Sequence, residues 1–130
     1  MSSSRPIVTH GPARLAPHIA LGQRAESLVA TLLEERGFRI VGRNVRVGRD
    51  ELDLLASRGP LLVVCEVRSR STADLADPIQ SIDRRKQARV RRATAAWLSA
   101  QPDHYPEVRF DAASVVFAPE IAIDYFEAAF

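Results

Sequence analysis

The stretch that decides the fold runs from residue 50 to residue 68 and reads DELDLLASRGPLLVVCEVR. Two apolar runs, residues 51–56 and 61–67, flank the turn-forming sequence Arg58-Gly59-Pro60, and this pattern predicts two strands joined as a hairpin. The second run is almost continuously apolar, as is typical of a central strand that is covered on both faces. Two acids interrupt the apolar pattern, Asp53 in the first run and Glu66 near the end of the second.

Helices and further strands are predicted on both sides of this hairpin. An arc of apolar residues at helical spacing predicts a first helix, and a second helix follows a polar loop. A helix of about 20 residues permits a crossover to a parallel strand. We therefore expect an α/β or α+β fold of order αβββαββ, with a mixed central sheet flanked by helices. The predicted ranges are 20–36 (helix), 38–47, 51–56 and 61–67 (strands), 68–77 (loop), Pro78 or Ile79 to Ala100 (helix), and 108–117 and 121–126 (strands).

Length and composition exclude several classes of protein. The 130 residues suffice for one domain, which we expect over residues 19–130 after a loose arm, rich in Ser, Pro and Gly, over residues 1–18. One cysteine excludes an internal disulfide, and three histidines with that cysteine cannot form a Cys-rich zinc module. No apolar run is long enough to span a membrane and no secretory signal is visible, so the expected location is the cytoplasm, without membrane contact.

Basic residues cluster although the net charge is only +2. Residues 36–49 and 84–92 are rich in arginine and contain no acid. Such clusters either follow a phosphate backbone or form an ordinary solvated face. The residues that we predict to contact nucleic acid are Arg43, Arg46, Arg49, Arg70, Arg84, Arg85 and Arg89.

The two acids of the hairpin suggest a metal site. A carboxylate at the end of a central strand is costly when it is buried and unpaired, so Glu66 either lies at an exposed strand end or has a cationic partner. Neighbouring strands bring Asp53 and Glu66 together, and Mg²⁺ prefers one or two carboxylates together with water and a substrate phosphate.

The spacing of Asp53 and Glu66-Val67-Arg68 resembles the PD-(D/E)XK pattern of restriction-endonuclease-like nucleases, and the wider sequence resembles the YraN family of small bacterial proteins. The resemblance covers about residues 19–130. It is carried by Gly22-Gln23-Arg24-Ala25-Glu26, Gly37-Phe38-Arg39-Ile40, Asn44-Val45-Arg46, residues 50–56 and 64–70, Pro78, Lys86, Arg109-Phe110-Asp111 and the closing Ala-Phe.

This resemblance implies a restriction-endonuclease-like αβββαβ core, related to archaeal Holliday-junction resolvases. It implies that Asp53 and Glu66, with the carbonyl of Val67, hold Mg²⁺ or Mn²⁺, and that Glu26 on the first helix is a supporting acid, either orienting a water or binding a second ion. The residue-based alternative for Glu26 is a boundary residue in a salt bridge. The implied partner is DNA, branched or otherwise structured, and the related resolvases act as homodimers.

Two departures from the family pattern bear on chemistry. Arg68 stands where the motif has lysine, and arginine binds phosphate but cannot serve as a base. Asp50 stands where the family usually has glycine. The single lysine, Lys86, falls on the apolar stripe of the second helix, so it either reaches the carboxylates or extends its ammonium into solvent.

Two further acids have open roles. Glu51 shares the face of Asp53 and is either a further ligand or an edge charge that discourages aggregation. Asp111 either contributes to the site, holds an arginine or caps a loop.

The sequence is consistent with three different functions. The first is a Mg²⁺-dependent deoxyribonuclease with Asp53, Glu66, Arg68, Lys86 and Glu26 as its catalytic residues. The second is a non-catalytic nucleic-acid-binding module of the same fold, its activity weakened or lost through Arg68. The third is an interaction protein with a fortuitous acid pair. The sequence therefore leaves open whether the chain is an enzyme.

Overall fold

The computed structural model describes residues 17–72 and 82–130, with the side chains of residues 20–71 and 82–130. Within these ranges the chain forms two helices and five strands. In chain order they are α1 (Pro17–Glu35), β1 (Arg39–Val47), β2 (Asp50–Arg58), β3 (Leu61–Thr72), α2 (Arg84–Ser99), β4 (Glu107–Ala118) and β5 (Ala122–Phe126).

The five strands form one mixed sheet in which the spatial order β1-β2-β3-β4-β5 equals the chain order. Strands β1, β2 and β3 pair antiparallel through tight turns, β3 pairs parallel to β4, and β5 returns antiparallel to β4. The predicted mixed sheet and the central position of the apolar strand β3 are thus confirmed. The parallel pair requires a long connection, and helix α2 lies within it.

Each face of the sheet has its own core, so the two helices lie on opposite faces. Helix α1 packs Ala25, Val29 and Leu33 against one face. Helix α2 packs Val90 and Ala93 against the other. Strands β2 and β3 contribute buried residues to both cores, as expected for strands covered on two sides.

Strand β3 is longer than the sequence predicted, because residues 68–72 belong to it rather than to a loop. The extension pairs residue by residue with strand β4, from Arg68 opposite Ser114 to Thr72 opposite Ala118. The loop prediction for residues 68–72 was wrong because their polar composition resembles a loop, whereas the parallel partner satisfies their backbone.

Helix α2 begins later than predicted. Asp83 is its N-cap, and the Asp83 carboxylate accepts a hydrogen bond from the Lys86 N–H at 2.8 Å. Ile82 is buried but lies before the helix. The predicted start at Pro78 or Ile79 is therefore wrong for residues 82 and 83, which are not helical. Residues 1–16 of the predicted arm, 73–77 of the predicted loop and 78–81 of the predicted helix lie outside the described residues. The last two residues predicted for the arm, Pro17 and His18, belong instead to helix α1.

Neither α1 nor α2 is long and apolar enough to cross a membrane.

Candidate active site

The backbone pairing of strands β2 and β3 ends just before the two acids, Asp53 and Glu66. Backbone pairing extends from Arg58 opposite Leu61 to Leu54 opposite Cys65. Beyond that pair, the Val67 N–H donates to Asp53 Oδ2 at 2.8 Å, and the Asp53 N–H donates to Glu66 Oε2 at 3.4 Å. Side-chain carboxylates therefore replace carbonyl acceptors at the point where the two strands separate.

The regular alternation of side chains between the two faces of the sheet is interrupted in strand β2 at the same point. Leu52 packs in the core under α2, whereas Leu54 packs in the core under α1. Residues two apart in a regular strand share a face, so the alternation is interrupted between them, at Asp53. This irregularity lets the Asp53 carboxylate reach the backbone of β3.

Helix α2 brings Lys86 to the carboxylates. Lys86 Nζ lies 3.7 Å from Glu66 Oε1, and the two side chains are 27% and 2% exposed. The Asp83 cap fixes the first turn of the helix from which Lys86 projects. Of the two alternatives for Lys86, the structure therefore shows the one in which its ammonium reaches the carboxylates. Lys86, Asp53 and Glu66 line a cavity of about 260 Å³, whose other lining residues are Arg49, Asp50, Glu51, Arg89 and Val90.

Burial destabilises the ionised forms of the two carboxylates, Asp53 and Glu66. Burial, and next the charge of Asp53, raise the pKa of Glu66 to about 7. Burial also raises the pKa of Asp53, while the Val67 N–H and the charge of Lys86 act against that rise. One ammonium group at 3.7 Å leaves the pair of carboxylates incompletely compensated, so the site favours an additional cation.

Glu26 lies near this pair but is held by a different residue. The Asn44 side-chain amide donates to Glu26 Oε1 at 3.0 Å, so the boundary salt bridge considered for Glu26 is replaced by a hydrogen bond to strand β1. Burial raises the pKa of Glu26, and the charges of Asp53 and Glu51 add to the rise, whereas Asn44 opposes it. Glu26 therefore belongs to the electrostatic surroundings of Asp53.

Asn44 is a residue that sequence reasoning missed as part of this site. Its φ is +49°, in the left-handed region, which Asn tolerates better than most side chains. Its neighbours Arg43 and Val45 pair with Leu54 and Leu52, so Asn44 lies beside Asp53 across the β1–β2 ladder. An asparagine within a run of β-branched residues and arginines was the available signal, because Asn is depleted in regular strands.

The predicted nucleic-acid contacts fall into two groups. Arg49 and Arg89 line the carboxylate cavity. Arg46, Arg84 and Arg85 are exposed, Arg43 is exposed and donates to the Ser27 hydroxyl at 2.9 Å, and Arg70 lies half-buried near the end of strand β3.

The arginines of residues 36–49 do not form one surface. Arg36 stacks over the Tyr125 ring at 5.3 Å. Arg39 begins strand β1 and lines a separate cavity with Asp103 and His104. Both lie toward the end of β1 that is remote from Asp53.

Arg68 occupies the lysine position of the motif and is exposed at the surface. It lies two residues after Glu66 on strand β3, and its charge lowers the pKa of Asp53. Arg68 is therefore near enough to act on the site electrostatically.

Asp111 is not part of the site. Its carboxylate is fully buried and accepts two hydrogen bonds from the Arg109 guanidinium, both 2.9 Å. Of the alternatives for Asp111, the structure therefore supports the one in which it holds an arginine.

The donor set fits a divalent cation that keeps water ligands. Among residues 17–72 and 82–130, no group of three or more His, Cys, Asp or Glu side chains forms a ready-made metal centre. Two carboxylates and a carbonyl are available, since the Val67 N–H points to Asp53 and the Val67 C=O shares that side of the strand. Mg²⁺ typically takes one or two carboxylates and completes its shell with water and phosphate.

Comparison with known proteins identifies the family. The model of the uncharacterised protein family UPF0102 matches residues 25–115. A UPF0102 protein of Sorangium cellulosum is 44% identical over 116 residues, which cover 85% of this chain and 81% of the relative. A UPF0102 protein of Chlorobium phaeobacteroides is 38% identical over 100 residues, covering 77% and 79% of the two chains.

Among solved structures, SfsA of Pyrococcus furiosus in complex with Ca²⁺ matches with 15% identity and a TM-score of 0.31, covering 85% of this chain and 63% of SfsA. A likeness this low carries no weight beside the sequence matches. The matches to relatives and to the family model cover most of the helices and strands described above. The chain therefore belongs to UPF0102, the YraN family.

Proposed function

We propose that this protein is a metal-dependent phosphodiesterase acting on DNA, with branched or otherwise structured DNA as the first substrates to test. The observation that carries this proposal is Glu66. Its side chain is 2% exposed, yet its two contacts among the described residues, with Lys86 and the Asp53 N–H, measure 3.7 Å and 3.4 Å. A buried carboxylate with such long contacts is suited to a cation that the chain itself does not supply.

Asp53, Glu66 and the Val67 carbonyl would hold Mg²⁺ or Mn²⁺. Such an ion, when bound, polarises a phosphate and lowers the pKa of a water molecule. Asp53 also fixes the strand geometry, because the same carboxylate accepts from the Val67 N–H. Glu26, held by Asn44, orients a water at the margin of the site.

Lys86 and Arg68 bind the scissile phosphate and stabilise the negative charge that develops on it. Lys86 is partly buried beside Glu66, where its charge acts more strongly than a charge in water. Arg68 is exposed and stays protonated. We therefore expect Lys86→Ala to cost more activity than the loss of any single exposed arginine.

A cleavage assay tests the proposal directly. Purified protein is incubated with junction, flap, single-stranded and duplex DNA in Mg²⁺ or Mn²⁺. We expect cleavage that stops with chelator and falls about a hundredfold or more in Asp53→Asn and Glu66→Gln. Asp124→Asn, an exposed acid on strand β5, is the matched control and should cleave like the wild type. Absence of cleavage by the wild type, or cleavage unchanged in Asp53→Asn, contradicts the catalytic proposal.

Metal binding is measured separately from activity by thermal unfolding. A ligand that binds only the folded state, at one hundred times its Kd, stabilises that state by about 2.7 kcal/mol. We expect Mn²⁺ to raise the Tm of the wild type and of Asp124→Asn but not of Glu66→Gln. An equal rise in all three proteins would show that the carboxylates are not the metal site.

The second candidate is a nucleic-acid-binding module without catalysis, and Arg68 is the observation that favours it. An arginine cannot give up its proton to serve as a base, so a mechanism that needs a base at this position would fail. DNA binding that persists in chelator without cleavage would select this candidate. Cleavage that appears in Arg68→Lys would locate the defect at that position.

A homodimer would present two such sites to a two-fold symmetric junction. Light scattering of the free protein and of the protein with junction DNA tests this arrangement. A monomer in both conditions contradicts it.

A further inference from the structure

A second cavity adjoins the carboxylate cavity. It has a volume of about 790 Å³ and lies between the β1–β2 turn and helix α2. Arg49, Asp50 and Arg89 line both cavities, so the two share a wall, and together they are called the groove. The remaining lining residues are Val47, Gly48, Arg92, Ala93 and Ala96.

The chemistry of this groove matches a phosphodiester backbone. Three arginines, Arg49, Arg89 and Arg92, surround a surface of small residues. The planar guanidinium group donates two parallel hydrogen bonds to a phosphate. Gly48 and the two alanines of helix α2 leave room for a chain to approach the backbone of the protein.

One acid stands among these arginines. Arg92 Nη2 lies 3.4 Å from Asp50 Oδ2, with the two side chains 66% and 20% exposed. An exposed pair of this kind contributes little to stability. Because the contact is long and reachable from solvent, a phosphate can take the place of the Asp50 carboxylate at Arg92.

We propose that this groove binds the backbone phosphates of the polynucleotide strand beside the scissile phosphate, with Arg92 as a phosphate ligand and Asp50 as its resident competitor. The proposal rests on the function proposed above. It adds a binding subsite on one defined side of the carboxylates, and it includes Arg92, which the sequence did not single out.

Binding of a short fluorescein-labelled oligodeoxynucleotide, followed by fluorescence anisotropy in chelator, tests Arg92. We expect Arg92→Ala to weaken binding about tenfold and to reduce the slope of log Kd against log salt by about one, as for a lost phosphate contact. Arg39→Ala is the matched control. It removes the same charge from an exposed position at the other end of strand β1, so its affinity should stay within about twofold of the wild type.

Asp50→Asn tests the competitor. We expect it to raise the affinity roughly threefold, since it removes an acid from the groove and releases Arg92. In the Arg92→Ala background the same substitution should give little or no rise. Glu35→Gln, an exposed acid at the end of helix α1, controls for the general loss of one negative charge. All five variants change exposed or partly exposed side chains, and their Tm values confirm that they are folded.

The outcomes separate the subsite from the function. If the wild type binds DNA and Arg92→Ala behaves like Arg39→Ala, the groove proposal is wrong while the proposed function stands. If Asp50→Asn raises the affinity equally without Arg92, Asp50 does not compete for Arg92. If the wild type binds no oligodeoxynucleotide at any salt concentration, the groove proposal is wrong, and the cleavage assay with junction, flap and duplex DNA decides the proposed function separately.

Discussion

Two buried acids lie on neighbouring strands of the sheet, and their surroundings differ. Glu66 is on strand β3 and is 2% exposed, whereas Asp111 is on strand β4 and is fully buried. Asp111 pairs with Cys65, the residue before Glu66. The two residues are therefore close along the sheet and similar in burial, while their side chains lie on opposite faces of it.

Asp111 is completely satisfied by the chain. Besides two hydrogen bonds from Arg109, it accepts one from the Tyr125 hydroxyl and one from the Ala128 N–H at 2.9 Å. These donors come from strand β4, strand β5 and the C-terminal segment. Asp111 thus ties the end of the chain to the sheet, as a structural acid does.

Glu66 has no comparable set of donors among the described residues. Its contacts are the Asp53 N–H at 3.4 Å and the Lys86 ammonium at 3.7 Å, and a second carboxylate, Asp53, lies beside it. The comparison teaches that burial alone does not mark a functional acid. A buried acid whose hydrogen-bonding capacity is left incomplete is the better indicator.

The largest expected effect is that of Asp111→Asn on stability. The amide offers one acceptor oxygen to donors from three residues, and it leaves the Arg109 guanidinium, 23% exposed, with only the exposed Glu127 carboxylate, at 3.7 Å, as a charge partner. We expect the free energy of unfolding to fall by about 3 kcal/mol or more. Urea unfolding monitored by circular dichroism measures the loss.

The control for this prediction is Asp124→Asn on the neighbouring strand, an exposed acid whose loss should change stability by less than about 0.5 kcal/mol. If Asp111→Asn is as stable as Asp124→Asn, then Asp111 is not a structural acid and the contrast with Glu66 fails.

The sequence was sufficient for the parts of the fold that follow from local pattern. The apolar run of strand β3 predicted its central position, and the turn residues before it predicted the hairpin with strand β2. The same pattern brought Asp53 and Glu66 together, because the two acids stand at matching distances from one turn. The apolar stripe of helix α2 predicted that Lys86 lies on the face of the helix that packs against the sheet.

The sequence was insufficient where a partner distant in the chain decides the structure. Residues 68–72 are strand because strand β4 pairs with them, and no local pattern shows that pairing. Two of the four hydrogen bonds to Asp111 come from residues 14 and 17 positions away, so its structural role could be offered only as an alternative. The left-handed backbone of Asn44 lies beside the interruption of β2 at Asp53, and no local sequence pattern shows that interruption.

The next effect concerns the pH dependence of stability, and it comes from Glu66. Its pKa is about 7 in the folded chain against 4.5 as the ordinary value, so the folded state holds a proton that the unfolded state releases. Stability should therefore fall as the pH rises from about 4.5 to about 7 and should then level off. The contribution of this one group is of the order of 3 kcal/mol. It is measured by urea unfolding in chelator at several pH values.

Glu66→Gln removes the titrating group, and the pH dependence of its unfolding should be flatter than that of the wild type over that interval. Glu34→Gln, an exposed acid of helix α1, should retain the pH dependence of the wild type. Parallel curves for the wild type and Glu66→Gln would mean that Glu66 is as well compensated as Asp111, and the distinction between the two acids would be lost.

The smallest expected effect concerns Glu26. This acid is intermediate between Asp111, which is fully hydrogen-bonded, and Glu66, which is not, because its half-buried carboxylate accepts one hydrogen bond from Asn44 at 3.0 Å. Asn44→Gly keeps the left-handed backbone and deletes the donor, whereas Asn44→Ala deletes the donor and strains the backbone at φ +49°. We expect Asn44→Ala to be less stable than Asn44→Gly by about 1 kcal/mol. Urea unfolding of the two variants checks this difference.

Both variants release Glu26, so cleavage by the two should fall by the same few-fold factor despite their different stabilities. A functional loss that followed stability instead, with Asn44→Gly fully active, would show that Asn44 serves only the backbone of strand β1. The matched change on the acid is Glu26→Gln, which can still accept from the Asn44 amide but carries no charge. If that variant loses activity while Asn44→Gly does not, the charge of Glu26 matters and its orientation by Asn44 does not.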